Sequence, residues 1–281
     1  MRFGFVTCVQ LGLSCMEAIY EAGGELSLAI TLPDEKARSK SGRVYISDFC
    51  KENNINLIKS PNVNDDLVIS AIRSHSIDWL FIIGWSQIAE PALLAAPRLG
   101  TLGMHPSLLP VGRGRAAIPW AILKQLDKTG VTLFKLSEGV DTGDIIDQKA
   151  IPLSATTDAS QLYEEVQRAH VTLMRSALPK LSGGSLAARP QDETCATYWP
   201  GRTAAEGAID LSGSVHDAER LVRAVTRPYP GAFFFEDEQK ITVWRSRLCT
   251  RHGACPDARH LRFNDGILHF EDWEAGPADP S

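Results

Sequence analysis

The stretch "DWLFIIGW" (78–85) runs apolar without a break from Trp79 to Ile83, between an acid and a glycine. It is too short for an ordinary helix and lacks the polar alternation of a strand with one wet face. Such a run reads as a strand covered on both sides, as the central strands of parallel sheets are. The chain before it repeats one rhythm. "RFGFVTCV" (2–9) reads as a strand, and "SCMEAIYEAGG" (14–24) as a helix with Ser14 as its cap and Gly23 and Gly24 as its stop. "ELSLAITLP" (25–33) is the next strand, "SGRVYISDFCKENNI" (41–55) a helix, and "NLIKSP" (56–61) a short strand. "DDLVISAIRSHS" (65–76) is a helix capped near Asn64 or Asp65. Strand followed by helix, three times over, implies a Rossmann-like doubly wound α/β sheet, mostly parallel, with helices on both faces.

Beyond it, "GTLGMHPSLLPVGRGRAAIP" (100–119) reads as a loop stiffened by Pro106 and Pro110. "AIPWAILKQL" (117–126) is a helix, "GVTLFKLS" (130–137) a strand and "EGVDTGDIID" (138–147) an acidic, glycine-containing loop. "DASQLYEEVQRAHVTLMRSALPKL" (158–181) is a long amphipathic helix. The small, polar and Pro/Gly-rich "SGGSLAARPQDETC" (182–195) marks a composition break, which places a catalytic domain over 1–190 and a smaller α+β or β-rich domain over 191–281. In the latter, "SVHDAERLVRAVT" (214–226) is a helix, and "GAFFFED" (231–237), "KITVWRSRL" (240–248) and "ILHFEDWE" (267–274) are strands.

Composition narrows the function classes. The chain has 281 residues, 44% of them hydrophobic and 22% charged, and a formal net charge of −5. That is globular, and it does not indicate a strongly basic nucleic-acid binder. Cys8, Cys15, Cys50, Cys195, Cys249 and Cys255 are scattered and form no C-x-x-C pair, so no zinc ribbon or redox motif is expected and no metal site is assigned. The start "MRFGFVTCVQLG" lacks the features of a signal peptide, and no apolar run approaches the ~18 residues that span a bilayer. The expectation is a cytoplasmic protein without membrane association. The first strand–helix turn, "VTCVQLGLSC", has one glycine and no G-x-G-x-x-G, which argues against a nicotinamide or flavin dinucleotide. No G-x-x-x-x-G-K-[ST] is present for a nucleoside triphosphate.

Chemistry gathers in two loops. One carries His105, Ser107, Arg113 and Arg115; the other carries Asp141 and Asp144 with Gly139 and Gly143 around them. In open α/β sheets ligands bind where strands end, and a His beside an Asp there is an acid–base pair whose carboxylate orients the ring and stabilises its charged form. Singly, each residue has a plainer reading. A lone His is more often a hydrogen-bonded loop residue, "DTGD" alone is a turn, and the arginines alone could be solvated or paired.

Together, "HPSLLPVGRGRAAIPWAI" (105–122), "TGVTLFKL" (129–136) and "GVDTGDII" (139–146) resemble the 10-formyltetrahydrofolate-dependent formyltransferase family, which includes methionyl-tRNA formyltransferase and the sugar N-formyltransferases. "GWSQIAEPALLAAPRLGTLG" (84–103) resembles its folate-side segment, and "ATYWPGRTAAEGAIDL" (196–211) with "RLVRAVTRPYPGAFF" (220–234) the start of its C-terminal region. The resemblance implies formyl transfer from 10-formyltetrahydrofolate to an amine, with His105 and Asp141 matching the family's catalytic His and Asp. It also implies folate contacts along Gly84, Trp85, Ser86, Gln87, Ile88, Val140, Asp141 and Asp144. The family has Asn two positions before the His; here that position is Gly103. Loss of one oxyanion donor typically costs about 10²–10³ in rate. Gln87, Gln10, protonated His105, or a backbone N–H at Gly103 or Met104 are the candidate substitutes.

The acceptor is expected to be a nucleotide-linked amino sugar. The acidic end "FEDWEAGPADPS" disfavours tRNA, because nucleic-acid affinity rests on neutralising phosphates. Ser107, Arg113, Arg115, Tyr198, Arg202, Arg223 and Tyr229 are the candidates for acceptor binding, cations for a diphosphate and aromatics for a base. The alternatives are another small amine or tRNA as acceptor, or a folate- or nucleotide-binding protein impaired in catalysis at Gly103. A homodimer is carried as an expectation.

Overall fold

A computed structural model describes residues 1–36, 43–184, 186–249 and 259–278. The first part alternates β1 (Phe3–Val6), α1 (Gln10–Glu21), β2 (Leu26–Thr31), α2 (Ser47–Glu52), β3 (Asn56–Lys59), α3 (Asp66–Ser74), β4 (Trp79–Ile83) and α4 (Pro91–Leu94). Then come β5 (Gly100–His105), the two-residue β6 (Arg113–Gly114), α5 (Ala117–Leu123), β7 (Lys128–Lys135), β8 (Ile145–Pro152) and α6 (Ala159–Ser182). The chain ends in the two-residue β9 (Tyr198–Trp199), α7 (Val215–Val225), β10 (Ala232–Glu236), β11 (Gln239–Cys249), β12 (His260–Arg262) and β13 (Ile267–Pro277).

The central sheet has the order β3-β2-β1-β4-β5-β7-β8. β2 and β3, β1 and β2, β1 and β4, and β4 and β5 pair in parallel; β7 runs antiparallel to β5. All five residues of β4 are buried, as an interior strand requires. Val6, Leu28, Ile30, Leu80 and Ile82 pack with Val68 and Ile72 of α3 and Leu93 of α4. Phe81 stacks against Phe3 and Phe5, with ring centroids 5.9 and 5.7 Å away. The lone glycine of the first turn has a packing role: a Cβ on Gly12 would lie 1.9 Å from Thr7 Oγ1, so α1 sits hard against the end of β1.

Two strands of the central sheet escaped the sequence reading. Gly100–His105, read as loop, is β5, and Ile145–Pro152, read partly as loop, is β8. The helix expected over 41–55 is only Ser47–Glu52. Val44 N–H donates to the Cys8 carbonyl and Arg43 bridges to Val9, which ties this backbone to the end of β1. Residues 41 and 42 of that expectation, and Cys255, lie outside the described residues. Ser14 is not a cap: α1 starts at Gln10, and Ser14 Oγ accepts from Gln10 Nε2 (3.2 Å) and Gln167 Nε2 (2.9 Å).

The chain forms two compact units that interleave in sequence. One comprises Met1–Gly114, Thr129–Ile151 and Glu165–Tyr198; the other Arg115–Lys128, Pro152–Glu164 and Trp199–Ser281. The cut differs from a single boundary at 190. The second unit holds an antiparallel sheet in the order β10-β11-β13-β12, with α7 against β11 and β13 and α5 against α7. Ile241, Val243, Leu268 and Phe270 of the sheet are buried, as are Val215, Ala218 and Val222 of α7. Among the described residues no helix is long and apolar enough to cross a membrane.

His170 of α6 is buried, with Nδ1 donating to the Val166 carbonyl at 2.8 Å. Burial, with His105 adding to it, lowers its pKa from 6.5 to about 4. Between those values the unfolded chain binds the proton and the folded chain does not, so stability is full above about pH 6.5 and is lost as pH falls towards 4. The loss amounts to roughly 3 kcal/mol at 1.36 kcal/mol per unit. Urea denaturation of wild type and His170→Gln across that window should show a shallower acid-side decline in the variant.

Candidate active site

His105 is the last residue of β5 and is 7% exposed. Across the antiparallel pair it faces Thr132 of β7. Thr132 in turn fixes the loop that leaves β5: its Oγ1 donates to the Ser107 carbonyl (2.7 Å) and accepts from Leu109 N–H (3.0 Å). The imidazole is held from two sides. Nε2 lies 2.7 Å from the Gly112 carbonyl, and Nδ1 lies 3.5 Å from Asp141 Oδ2. A carbonyl only accepts, so Nε2 carries a proton, and in the neutral ring Nδ1 is the basic nitrogen. It faces the carboxylate at a distance slightly too long for a good hydrogen bond.

Asp141 arrives by an indirect route. Since β7 is antiparallel, its C-terminal end lies beside the start of β5, where Leu136 N–H donates to the Thr101 carbonyl. The nine-residue loop to β8 must double back to bring Asp141 to His105. Two glycines permit this. A Cβ on Gly143 would lie 1.8 Å from the Lys135 carbonyl oxygen, and one on Gly139 2.3 Å from Thr142 Oγ1. Asp141 itself takes the left-handed conformation, φ +54°, which an L-residue holds only when its surroundings enforce it. Part of that enforcement is Gly114 N–H, which donates to Asp141 Oδ2 at 2.8 Å.

Arg113, expected to meet the acceptor, is fully buried and has no donor to spare. Nε and Nη2 donate to Gln191 Oε1 (3.1 and 2.8 Å), Nη1 to Glu193 Oε2 and Tyr198 Oη (both 2.8 Å), and Nη2 to Glu193 Oε1 (2.6 Å). The five N–H groups of the guanidinium are all used. Its hydrogen bonds pull the Glu193 carboxyl below the usual carboxylate range. Ser107 is likewise committed, its Oγ donating to the Val111 carbonyl at 2.7 Å. Tyr198 presents an exposed ring, but its hydroxyl is taken by Arg113.

In the second unit Arg202 lies over the Trp120 ring (5.0 Å) and donates to the Glu206 carbonyl; Arg223 binds Glu219 Oε1 (2.7 Å) and the Thr157 carbonyl (2.9 Å). These contacts occupy part of each guanidinium, at two of the positions where cations for a diphosphate were expected. Tyr229 is half-buried, and burial raises its phenol above its ordinary range. Arg115 is exposed, and among the described residues no ion pair engages it.

The segment Gly84–Ile88 follows β4 and is exposed except at Trp85, with Ile88 at 63%; Trp85 is half-buried, packed on the core. Gln87 staples it: Oε1 accepts from Val63 N–H (2.9 Å) and Trp85 Nε1 (3.1 Å), and Nε2 donates to the Pro61 carbonyl (2.7 Å). Val140 is 42% exposed, and Asp144 is exposed with its carbonyl bound by Lys135 N–H. Exposed apolar side chains on loops rich in backbone groups suit a flat heterocycle with polar edges. Among the described residues no group of His, Cys, Asp and Glu could hold a metal ion.

Gly103 is a strand residue with no left-handed backbone. It pairs with Ile82 on one side and Phe134 on the other, as Met104 does with Ile83 and Leu133. These ladders commit the backbone at both positions, which removes it as a substitute oxyanion donor. The space where a side chain at 103 would start is filled: a Cβ would lie 2.8 Å from Leu136 Cδ2 and 3.4 Å from Phe134 Cε1. The sequence reading had also missed Thr132, Gly112 and Gln191. Thr132 stood in a strand read only for its apolar residues, Gly112 acts through its carbonyl, and Gln191 stood in a stretch read as linker.

Fold and site together define a class: an α/β protein with a histidine beside a carboxylate at the end of a sheet strand. Two family models then give its kind. A formyl transferase model matches residues 13–178 and a formyl transferase C-terminal domain model matches 202–271. The chain belongs to the formyl transferase family and is a formyltransferase. The same fold occurs in WlaRD, a sugar 3N-formyltransferase determined with dTDP and 5-N-formyl-THF, at a TM-score of 0.71 and 16% identity over 96% of this chain and 97% of that one. It occurs in methionyl-tRNA formyltransferase from Clostridium thermocellum (TM-score 0.63, 18% identity, 99% and 100% covered). HypX from Aquifex aeolicus, in complex with tetrahydrofolic acid, shares it over 99% of this chain and 46% of its own (TM-score 0.69, 19% identity).

Two substitutions test this geometry. Gly143→Ala forces the Asp141 loop away from Lys135 and should lower turnover about 100-fold, the scale of a misplacement near 1 Å; steady-state kinetics checks it. Gly103→Asn must displace Leu136, and overpacking of this kind costs ~1–3 kcal/mol. Denaturation should show that loss without faster formyl transfer, and adding Leu136→Ala should recover the stability.

Proposed function

We propose that this formyltransferase moves the formyl group of 10-formyltetrahydrofolate to the amine of a small acceptor, a nucleotide-linked amino sugar. The observation that carries the reading is the His105 ring set between the Gly112 carbonyl and the Asp141 carboxylate, inside the span matched by the family model. The exposed segments Gly84–Ile88 and Val140–Asp144 are the residues to hold the folate, which supplies an electrophilic formyl carbon and a nitrogen leaving group. His105 Nδ1 takes the proton released as the acceptor nitrogen bonds to that carbon. The imidazolium then has an acceptor on each side, and Asp141, kept in place by Gly114 N–H, stabilises it. Charged His105 can in turn give that proton to the leaving nitrogen. For the oxyanion, Gln87 Nε2 and Gln10 Nε2 each keep a second N–H beyond the one that serves Pro61 or Ser14, so both stand as candidates beside His105.

The sugar reading is supported by WlaRD and by an N-formyltransferase from Helicobacter canadensis whose structure contains folinic acid and dTDP-3-aminofucose (TM-score 0.69, 16% identity). The net charge of −5 and the acidic C-terminal end weigh against tRNA. One observation favours a second reading, a binding protein impaired in transfer: Leu136 stands where the family's polar side chain would start.

Single-turnover assays with 10-formyltetrahydrofolate and a panel of dTDP- and UDP-linked amino sugars separate the two. Wild type should formylate at least one of them. His105→Asn and Asp141→Asn should each lower the rate by roughly 10²–10⁴, the usual worth of a positioned acid or base, with little change in acceptor affinity. Tight folate binding without turnover on any amine would instead establish the second reading.

A further inference from the structure

The residues that touch the His105–Asp141 pair lean on one side chain that touches neither reacting group. Gln191 Nε2 donates to the carbonyls of Asp141 and Gly143, both at 2.7 Å. These carbonyls flank Thr142, the tip of the turn that carries Asp141 at φ +54°. One amide therefore grips both sides of a segment whose aspartate is held in the left-handed region. Its Oε1 is fixed by the two bonds from Arg113. The next residue, Gly114, donates to the Asp141 carboxylate, and the one before, Gly112, accepts from His105. Gly112 N–H and Arg113 N–H are themselves anchored on Thr197, to Oγ1 (2.8 Å) and the carbonyl (2.9 Å).

We propose that Gln191 is a positioning residue for formyl transfer: with Arg113 behind it, it sets the backbone of Asp141 so that the carboxylate meets His105 Nδ1. The proposal rests on the reading above in which Asp141 acts in the reaction. Only an amide suits the position. Oε1 must accept from a guanidinium while Nε2 donates to two carbonyls, so a carboxylate of the same length would keep the first contact and oppose the second.

The test compares wild type, Gln191→Ala, Gln191→Glu and Asp141→Asn, and adds each Gln191 change to Asp141→Asn. Formyl transfer is measured in single turnover, Michaelis constants for folate and acceptor in steady state, and melting temperature in parallel. Both Gln191 variants should fold and should lower kcat by about 10–100-fold, with the acceptor KM within twofold; the folate KM rises as well, because the same turn holds the folate. In the Asp141→Asn background the same changes should cost less than twofold, because a residue that acts through Asp141 has nothing left to position. Near-wild-type kcat in both Gln191 variants beside a crippled Asp141→Asn would overturn the positioning role and leave the acid–base reading intact. Undiminished turnover in Asp141→Asn would remove that reading itself. Losses that persist in full in the double variants, a parallel fall in acceptor affinity, or failure of both Gln191 variants to fold would make Gln191 a scaffold residue and overturn the proposal.

Discussion

The site depends on the pairing of β5 with β7. That register sets His105 opposite Thr132, and the threonine turns the chain after β5 into a fixed support. The antiparallel direction of β7 then starts the Asp141 loop at the wrong end of the pair. The two glycines, the left-handed aspartate and the bonds that hold it follow from having to bring that loop back. A parallel β7 would have delivered an acidic loop at the His105 end directly.

How much of this could be read in the sequence varied with how the information is stored. β1 to β4 were legible because each centres on a short apolar run bounded by turn residues. β5 was not: Gly100, Thr101, Gly103 and His105 dilute its pattern, and its extended form comes from pairing on both edges. β8 carries polar residues over much of its length and ends the sheet order, so alternation told less there than pairing does. His105 and Asp141 stood out through their neighbours. The groups that orient them did not, because the contacts of Arg113 and Gly112 lie some eighty residues along the chain. The candidate arginines show the same limit, since composition counts a committed guanidinium and a free one alike.

Arg113 explains why its position could not be filled by lysine. A planar fork with five donors satisfies Gln191, Glu193 and Tyr198 at once; a point charge with three donors cannot reproduce those directions. The Glu193 carboxylate on its rim is mostly solvent-exposed, so only one partner of the ion pair has given up its hydration completely. That keeps the desolvation penalty of the pair below that of one fully buried.

The interleaving of the two units bears on how the protein is made. A ribosome releases residues 115–128 and 152–164 long before 199–281. The first unit can therefore begin to condense while it carries two segments whose partners have not been synthesised. α5 is among these waiting pieces, with Ala121 and Ile122 destined for burial and α7 still to be translated. Nascent chains of this length expose apolar helix faces in the interval, which is when chaperone binding and aggregation compete with folding. The C-terminal part is thus a late structural component of segments made earlier, and cutting the gene near codon 190 would leave those segments permanently unfinished.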